Sequence, residues 1–196
     1  RTNSARHLVR YNAVDSGLVM LNDHAAITFD HCDGLTVMDN IITRMVSNTE
    51  SSATDDNGGD RSVGIYYGNH NITNTRVFRN TITGCGNGIL LDHQVGYHGN
   101  VVENNTVFGC REAQLVVQDL GLQDSLYQAT YDDLVRGNIL YALNSEQRCM
   151  FHDQVKAWTY ADTAVHRTVD YGTFDENYYF NPFTELVMTQ KLHYDV

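Results

Sequence analysis

The 196-residue chain has one proline, one tryptophan and two lysines, Lys156 and Lys191, and it has no long apolar run. A helix that crosses a membrane needs about 18 consecutive apolar residues, so we expect no membrane span. With 13 basic against 24 acidic residues, the chain lacks the clustered positive charge that binds phosphate backbones. We therefore expect no nucleic-acid partner, and a polyanionic glycan would need a bridging cation.

Helix-forming patterns and paired cysteines are also missing. The four cysteines form no C-x-x-C motif, which argues against a zinc ribbon or a thioredoxin-type site. No stretch shows clear helical spacing of apolar residues, whereas Asn, Gly, Thr, Val and Ile are abundant. Because β-branched residues favour strands and Asn and Gly favour tight turns, we predict an all-β chain of short strands. Its length suits a single domain, residues 1–196.

An internal repeat runs through the chain. The pattern apolar-x-x-Asn-x-apolar occurs six times, with its asparagines 28, 40, 25, 33 and 39 residues apart. The six copies are Val9–Val14, Val37–Ile42, Val77–Ile82, Val102–Val107, Val135–Leu140 and Phe174–Tyr179. Such spacing indicates a unit of about 25 residues with insertions of variable length.

A second apolar run lies between successive asparagines. Its copies are SGLVML (16–21), VGIYYG (63–68), NGILLD (87–92), AQLVVQ (113–118) and CMFHD (149–153). Each unit then has at least two short strands and no helical crossover, as in a coil whose turns stack by parallel hydrogen bonding. An asparagine at the same bend of each turn can bond to the next asparagine, and its tolerance of left-handed backbone angles would suit the bend.

On these G-I-x-L and apolar-x-x-N-x-I motifs, the chain resembles the right-handed parallel β-helix proteins of the pectate-lyase-like superfamily. The resemblance covers nearly the whole chain and implies a solenoid of about six to seven coils. It also implies a secreted or cell-surface protein, because the stretch TFDENYYFNPF (173–183) looks like the last coil of secreted bacterial members. The superfamily includes polysaccharide lyases, glycoside hydrolases, uronate epimerases, tailspikes and non-catalytic surface proteins, so the motifs indicate the fold and not an activity.

Two stretches interrupt the regular coils. We predict an inserted acidic loop at 47–61 and an irregular, extended coil at 144–173. The first repeat also begins close to residue 1, which leaves little room for the cap that usually covers a solenoid end. We therefore expect a piece of a longer solenoid, whose partners are its own further coils or a second copy joined end to end.

Polar residues follow the second apolar run of each unit and should stack into a column. Read from the motifs, the column consists of Asn22, Asp23 and His24; Asn69 and His70; Asp92 and His93; Gln118 and Asp119; and His152 and Asp153. Coils about 4.8 Å apart would bring successive members within reach of one sugar. A glycan groove is one interpretation, and solvated strand ends are the other.

The predicted catalytic groups are Asp92, His93, Asp119 and His70, since carboxylates and imidazoles serve as acids and bases. Adjacent strand residues face opposite sides, so only one of Asp92 and His93 faces the groove while the strand continues. The superfamily's lyases usually use Lys or Arg as base. The sequence shows neither in the predicted column, although a histidine base would also serve.

The predicted substrate-binding side chains include the aromatic residues near the column. A tyrosine that faces outward could stack on a sugar, whereas one that faces inward would be core. The predicted set is Tyr66, Tyr67, Asp23, His24, His152, Asp153 and Trp158.

The stretch TDDNGGD (54–60) gathers oxygen ligands around two glycines. Asp55, Asp56 and Asp60 would suit a calcium site, although the full twelve-residue calcium-loop spacing is missing. A solvated acidic loop is the alternative, and calcium is the one cofactor that the sequence suggests.

Two function classes follow. The first is a carbohydrate-active protein, a glycoside hydrolase or a polysaccharide lyase, that binds and cleaves a polysaccharide in a groove along the solenoid. The second is a non-catalytic adhesin, tailspike segment or filament subunit whose exposed ends pair with further chain. Carboxylates of the column within about 10 Å of one another would favour hydrolysis.

Overall fold

A computed structural model describes residues 4–17, 23–47, 61–68, 70–92, 98–119, 132–155 and 172–193. These ranges contain strands, bridges, turns and bends and no helix. The strands in chain order are β1 Ser4–Ala5, β2 Leu8–Arg10, β3 Ala13–Asp15, β4 Asp23–Phe29, β5 Cys32–Asp33, β6 Thr36–Met38, β7 Ile41–Thr43, β8 Arg61–Tyr67, β9 Arg76–Phe78, β10 Thr81–Thr83, β11 Asn87–Asp92, β12 Val101–Glu103, β13 Thr106–Phe108, β14 Ala113–Asp119, β15 Leu134–Arg136, β16 Ile139–Tyr141, β17 Arg148–Val155, β18 Thr173–Asp175, β19 Tyr178–Phe180 and β20 Met188–His193.

The strands form three parallel sheets of six strands each. Sheet 1 consists of β2, β6, β9, β12, β15 and β18; sheet 2 of β3, β7, β10, β13, β16 and β19; and sheet 3 of β4, β8, β11, β14, β17 and β20. Each coil contributes one strand to every sheet, so the described residues wind through six coils, numbered 1 to 6 in chain order. The fold is therefore a parallel β-helix, as the repeat predicted. A two-stranded sheet of β1 and β5 lies beside them.

The repeated asparagines lie at the two-residue corner between sheets 1 and 2, here called the asparagine corner. From coil 2 onward, each side-chain oxygen accepts two hydrogen bonds from the asparagine of the preceding coil: Asn105 Oδ1 accepts from the backbone and side-chain nitrogens of Asn80, both at 3.0 Å. The ladder runs from Asn12 to Asn177 through every coil. It confirms the predicted stacking of asparagines.

The left-handed backbone angle at this corner belongs to the residue before each asparagine. Those residues are Tyr11, Asp39, Arg79, Asn104, Gly137 and Glu176, with φ between 52° and 61°. None of the six ladder asparagines has a positive φ. The predicted reason for asparagine at the bend was therefore wrong in part, because the side chain is needed for its hydrogen bonds and the neighbouring residue makes the turn.

The core is a stack of apolar side chains inside the three sheets. Val37, Ile42 and Ile65 are fully buried, and equivalent residues of coils 3 to 5 are buried beside them. Burying one such side chain contributes about 2 kcal/mol. The glycine of the G-I motif has a packing reason: a Cβ at Gly64 would lie 2.5 Å from Ile82 Cγ2 and 2.7 Å from the carbonyl oxygen of Gly88.

The four cysteines, Cys32, Cys85, Cys110 and Cys149, are free thiols buried in this interior. Burial raises the pKa of Cys32 to about 11, with Asp30 and Asp33 adding to the shift. An apolar packing role agrees with this environment.

Candidate functional site

The register of sheet 3 determines which polar side chains meet at the ends of its strands. Leu91 pairs with Tyr67 of the coil before and Val117 of the coil after, and Val117 pairs with His152. The next residues along the chain are therefore aligned as well: Asp92 pairs with Gln118, Gln118 with Asp153, and Asp153 with Lys191. The backbone positions of the predicted polar column are therefore aligned in these coils.

The column extends back to coil 1 through Asp30. Phe29 pairs with Tyr67, and the amide of Gly68 donates to the carbonyl oxygen of Phe29 at 2.8 Å. A Cβ at Gly68 would lie 2.9 Å from Asp30 Cβ. From coil 1 to coil 6 the column is Asp30, Gly68, Asp92, Gln118, Asp153 and Lys191, and we call it the carboxylate column.

The alignment predicted for coil 1 was wrong. Asp23 and His24 lie at the beginning of β4, where they pair with Arg61 and Ser62. Asp92 lies at the end of its strand instead. The strand of coil 1 in sheet 3 is not the predicted run at 16–21, so Asp30 and His31 occupy the position that was assigned to Asp23 and His24.

Tyr66 and Asp92 form a hydrogen-bonded pair on the outer face of sheet 3. The Tyr66 hydroxyl donates to Asp92 Oδ2 at 2.8 Å across neighbouring coils. Tyr66 is partly exposed, whereas Asp92 is 3% exposed. The carboxylate is thus held in place by a phenol at the centre of the carboxylate column.

The residues that alternate with this pair face the core. Tyr67 is 1% exposed and packs edge-on against Phe29, with ring centroids 4.6 Å apart. Burial raises the pKa of Tyr67 far above its usual value. His152 is also buried, at 8% exposure. Of the two adjacent tyrosines, Tyr66 is therefore the one that faces outward, as the alternation of strand residues requires.

Several predicted side chains lie outside what the structure describes. His93, Trp158 and the calcium candidates Asp55, Asp56 and Asp60 lie outside the described residues. Asp119 and Asp153 are placed by their backbone: Asp119 pairs with Gln154, one position beyond the carboxylate column. The roles predicted for these residues stay predictions.

A cluster of three side chains lies where coils 1 and 2 leave sheet 3, and we call it the histidine cluster: Asp30, His31 and His70. The two imidazole rings stack with centroids 5.3 Å apart and planes inclined by 22°. Asp30 Oδ2 lies 3.2 Å from His31 Nδ1 and 3.8 Å from His70 Nδ1. All three side chains are between 42% and 45% exposed.

Asp33 provides a second carboxylate just beyond the histidine cluster. It accepts hydrogen bonds from Asn74 Nδ2 at 2.8 Å and Thr73 Oγ1 at 2.9 Å. These bonds lower the pKa of Asp33, and the nearby His98 adds to the effect. The end of sheet 3 is therefore lined by carboxylates and imidazoles over coils 1 to 3.

The predicted site residues include His70 but neither Asp30 nor His31. A signal for both was present, because the dipeptide Asp-His follows an apolar strand at Asp30–His31 and again at Asp92–His93. A carboxylate with two imidazoles can bind a cation or exchange protons. The carboxylate column adds groups that acid–base chemistry on a glycan would use.

Comparison with known proteins found no match among family models, curated proteins or solved structures. The part of the chain that the structure describes holds no helix long and apolar enough to cross a membrane.

Proposed function

We propose that this parallel β-helix is a carbohydrate-active protein that binds and cleaves a polysaccharide along the carboxylate column. The observation that carries the proposal is the register of sheet 3, which aligns Asp92 and Asp153 with one intervening coil. The resemblance of the repeat to the pectate-lyase-like superfamily supports the same activity class.

The spacing of the two aspartates favours hydrolysis with inversion. Parallel strands lie about 4.8 Å apart, so positions two coils apart are separated by about 10 Å. Inverting glycosidases place their carboxyl groups about 6.5–9.5 Å apart, whereas retaining enzymes need about 5–5.5 Å. The separation of about 10 Å between the backbone positions of Asp92 and Asp153 is closer to the inverting range than to the retaining one.

Each aspartate then has a distinct role. Asp92, largely shielded from water and bonded to the Tyr66 hydroxyl, is the general acid that protonates the leaving oxygen. Asp153 is the general base that activates water on the opposite face of the sugar. Tyr66 is the outward aromatic residue that positions both the acid and the sugar ring.

A second reaction, β-elimination on a uronate polysaccharide, is favoured by Lys191. Its backbone occupies the position beside Asp153 in the carboxylate column, whereas the column predicted from the sequence contains no cationic base. A lysine there would abstract the proton next to the uronate carboxylate. This candidate requires an anionic substrate, which the neighbouring carboxylates would hold through a bound cation.

One assay separates the two reactions. Neutral and uronic polysaccharides are incubated with the protein, and both reducing ends and the absorbance of unsaturated products are followed. Hydrolysis yields reducing ends alone, whereas elimination yields both signals. We expect Asp92→Asn and Asp153→Asn to lower hydrolysis by at least about 100-fold, since each removes one half of the acid–base pair.

The matched control is Asp175→Asn, which removes an exposed carboxylate from sheet 1 and should leave the rate unchanged. If Lys191→Ala abolishes activity and the aspartate variants retain it, elimination replaces hydrolysis as the reaction. If no glycan is cleaved by the wild type, the catalytic proposal is wrong.

The non-catalytic alternative is favoured by the surface of coil 6. Large apolar side chains there are 37–69% exposed, namely Phe174, Tyr178, Phe180, Phe183, Leu186 and Met188. An adhesive or filament-forming β-helix would bury such a surface against another chain. Light scattering over a range of concentrations tests it, with concentration-dependent association as the supporting result and a constant monomer mass as the opposing one.

A further inference from the structure

The potential ligand atoms of the histidine cluster lie close together. One oxygen of Asp30 and one ring nitrogen each of His31 and His70 lie within 4.8 Å of one another. Two ligands at about 2.0–2.1 Å from a tetrahedral ion are separated by about 3.4 Å. The two separations from Asp30 Oδ2, 3.2 and 3.8 Å, lie on either side of that value.

The backbone of two coils holds these donors in place. Asp30 Oδ1 accepts the amide hydrogens of His31 at 2.9 Å and His70 at 2.8 Å. The carboxylate therefore cannot rotate freely, and Oδ2 is left directed toward the imidazoles. Hydrogen bonds that orient a metal ligand are a common feature of protein metal sites.

The stacking of the imidazoles follows from the ladder between coils. The amide of His31 also donates to the carbonyl oxygen of His70 at 2.9 Å, which places the two residues at the same level of successive coils. Their ring separation of 5.3 Å is close to the distance of about 4.8 Å between parallel strands. Coil stacking therefore brings the two imidazoles together.

We propose that Asp30, His31 and His70 form a binding site for a divalent transition-metal ion of the zinc class, linking coil 1 to coil 2. Imidazole nitrogens suit Zn²⁺, Ni²⁺ and Cu²⁺, whereas Ca²⁺ and Mg²⁺ prefer oxygen ligands alone. Three protein ligands leave at least one coordination position open. Because the side chains are nearly half exposed, that position faces solvent.

This site is independent of the proposed glycan chemistry. Asp30 belongs to the carboxylate column, but it lies two coils away from Asp92, and neither catalytic aspartate is a ligand of the ion. The alternative explanation of the geometry is an ion pair between Asp30 and protonated imidazoles, which requires no metal.

Binding of Zn²⁺ to the untagged wild-type protein at pH 7.5 is measured by isothermal titration calorimetry. We expect one site of this kind, and the variants His31→Ala, His70→Ala and Asp30→Ala should each weaken it by at least tenfold. The matched control is His24→Ala, because His24 is also exposed and lies at the other end of β4, about 20 Å of strand away. Binding of Co²⁺ in place of Zn²⁺ should produce visible absorption bands of a four-coordinate nitrogen–oxygen site.

A second measurement, chemical modification of the histidines, uses the wild-type protein alone. Diethyl pyrocarbonate modifies accessible imidazoles, and mass spectrometry of the wild type locates them. Zn²⁺ should protect His31 and His70 and leave His24 reactive. The proposal is overturned if calorimetry shows that the wild type and the variant with all three ligands replaced by alanine bind Zn²⁺ equally. It is also overturned if Zn²⁺ leaves His31 and His70 as reactive toward diethyl pyrocarbonate as His24. Either result would assign the cluster to the metal-free ion pair.

Discussion

The asparagine corner and the histidine cluster lie at two bends of the same solenoid and are built differently. At the asparagine corner, every coil uses two residues, at 11–12, 39–40, 79–80, 104–105, 137–138 and 176–177. Between sheet 3 and the next strand of sheet 1, the connection varies from 30–35 in coil 1 to 156–172 in coil 5. A bend of constant length has the same structure in every coil, whereas a bend of variable length can carry different side chains in each coil.

Hydrogen bonding shows the same difference. Asn105 is fully buried, and each of its polar side-chain atoms bonds to a neighbouring coil. Asp30, His31 and His70 are nearly half exposed and bond mainly to one another and to nearby backbone. The first bend should therefore contribute to stability and the second to binding, and the following variants test that division in order of decreasing effect.

Asn105→Ala should destabilise the protein most, by about 4 kcal/mol. The change removes the Asn105 oxygen that accepts hydrogen bonds from the backbone and side-chain nitrogens of Asn80, and the Asn105 amide that donates to the carbonyl oxygen of Val77. Each buried polar group left without a partner costs about 1–3 kcal/mol. Urea unfolding followed by circular dichroism measures the loss. Asn12→Ala, at the exposed end of the ladder, should cost about 1 kcal/mol, and equal losses for the two would contradict a buried, cooperative ladder.

Glu103→Gln should cost about 2 kcal/mol at pH 7, because hydrogen bonds to charged groups contribute about 1.5–3 kcal/mol. Glu103 is 1% exposed, directly precedes the asparagine corner, and pairs with both Arg76 and Arg136. Urea unfolding at pH 7 measures the cost.

The same carboxylate predicts a pH dependence. Burial alone would raise the pKa of Glu103, but the hydrogen bonds from Arg76 and Arg136 outweigh it, so the pKa lies below its ordinary 4.5. The stabilisation is therefore complete above pH 4.5 and is lost as the pH falls through the lowered pKa. Unfolding midpoints between pH 7 and pH 2 should fall less steeply for Glu103→Gln than for the wild type, and parallel curves would assign acid sensitivity to other groups.

Gly137→Ala should cost about 1–2 kcal/mol. Gly137 has φ of 61°, and a Cβ there would lie 2.5 Å from Asn104 Oδ1, while a left-handed angle itself costs a residue with a side chain about 1 kcal/mol. The reverse change, Glu176→Gly at the exposed equivalent position with φ of 52°, should gain about 0.5 kcal/mol. Chemical denaturation measures both, and changes of the same sign would show that backbone angle does not decide preference at this position.

Asp30→Asn should have the smallest effect on metal-free protein, within about 0.5 kcal/mol, because an amide oxygen still accepts the two backbone hydrogen bonds at this exposed site. Thermal unfolding in the presence of a chelator measures it. A loss as large as that of Asn105→Ala would mean that the histidine cluster is a structural bend like the asparagine corner.

The sequence predicted the parts of the fold that recur. Each ladder asparagine lies between an apolar residue three positions before it and another two positions after it, and both of these point into the core in coils 2 to 5. The local sequence pattern therefore predicts the asparagine corner directly. The left-handed residue before the asparagine could not be predicted from the sequence, because six different residue types occupy that position, from Tyr11 to Glu176, and share no chemical feature.

The end of sheet 3 was predicted less completely. Asp92, His70, Asp119 and Asp153 are predicted at this end because they follow recognisable apolar runs. Asp30 and His31 are not predicted, because the apolar run at 16–21 indicates the strand of coil 1, whereas the strand is Asp23–Phe29. Lys191 was missed because β20 carries no G-I motif and reads MTQKLH.

The amino-acid sequence alone determined that this protein is a stack of coils and which asparagines form its ladder, because apolar periodicity and the need to satisfy buried amides act within each unit. Only the tertiary structure decided which charged groups meet at the end of sheet 3. Connections of unequal length separate those groups along the chain, and hydrogen bonding between coils sets the register that brings Asp30 beside His70 and aligns Asp92 with Asp153.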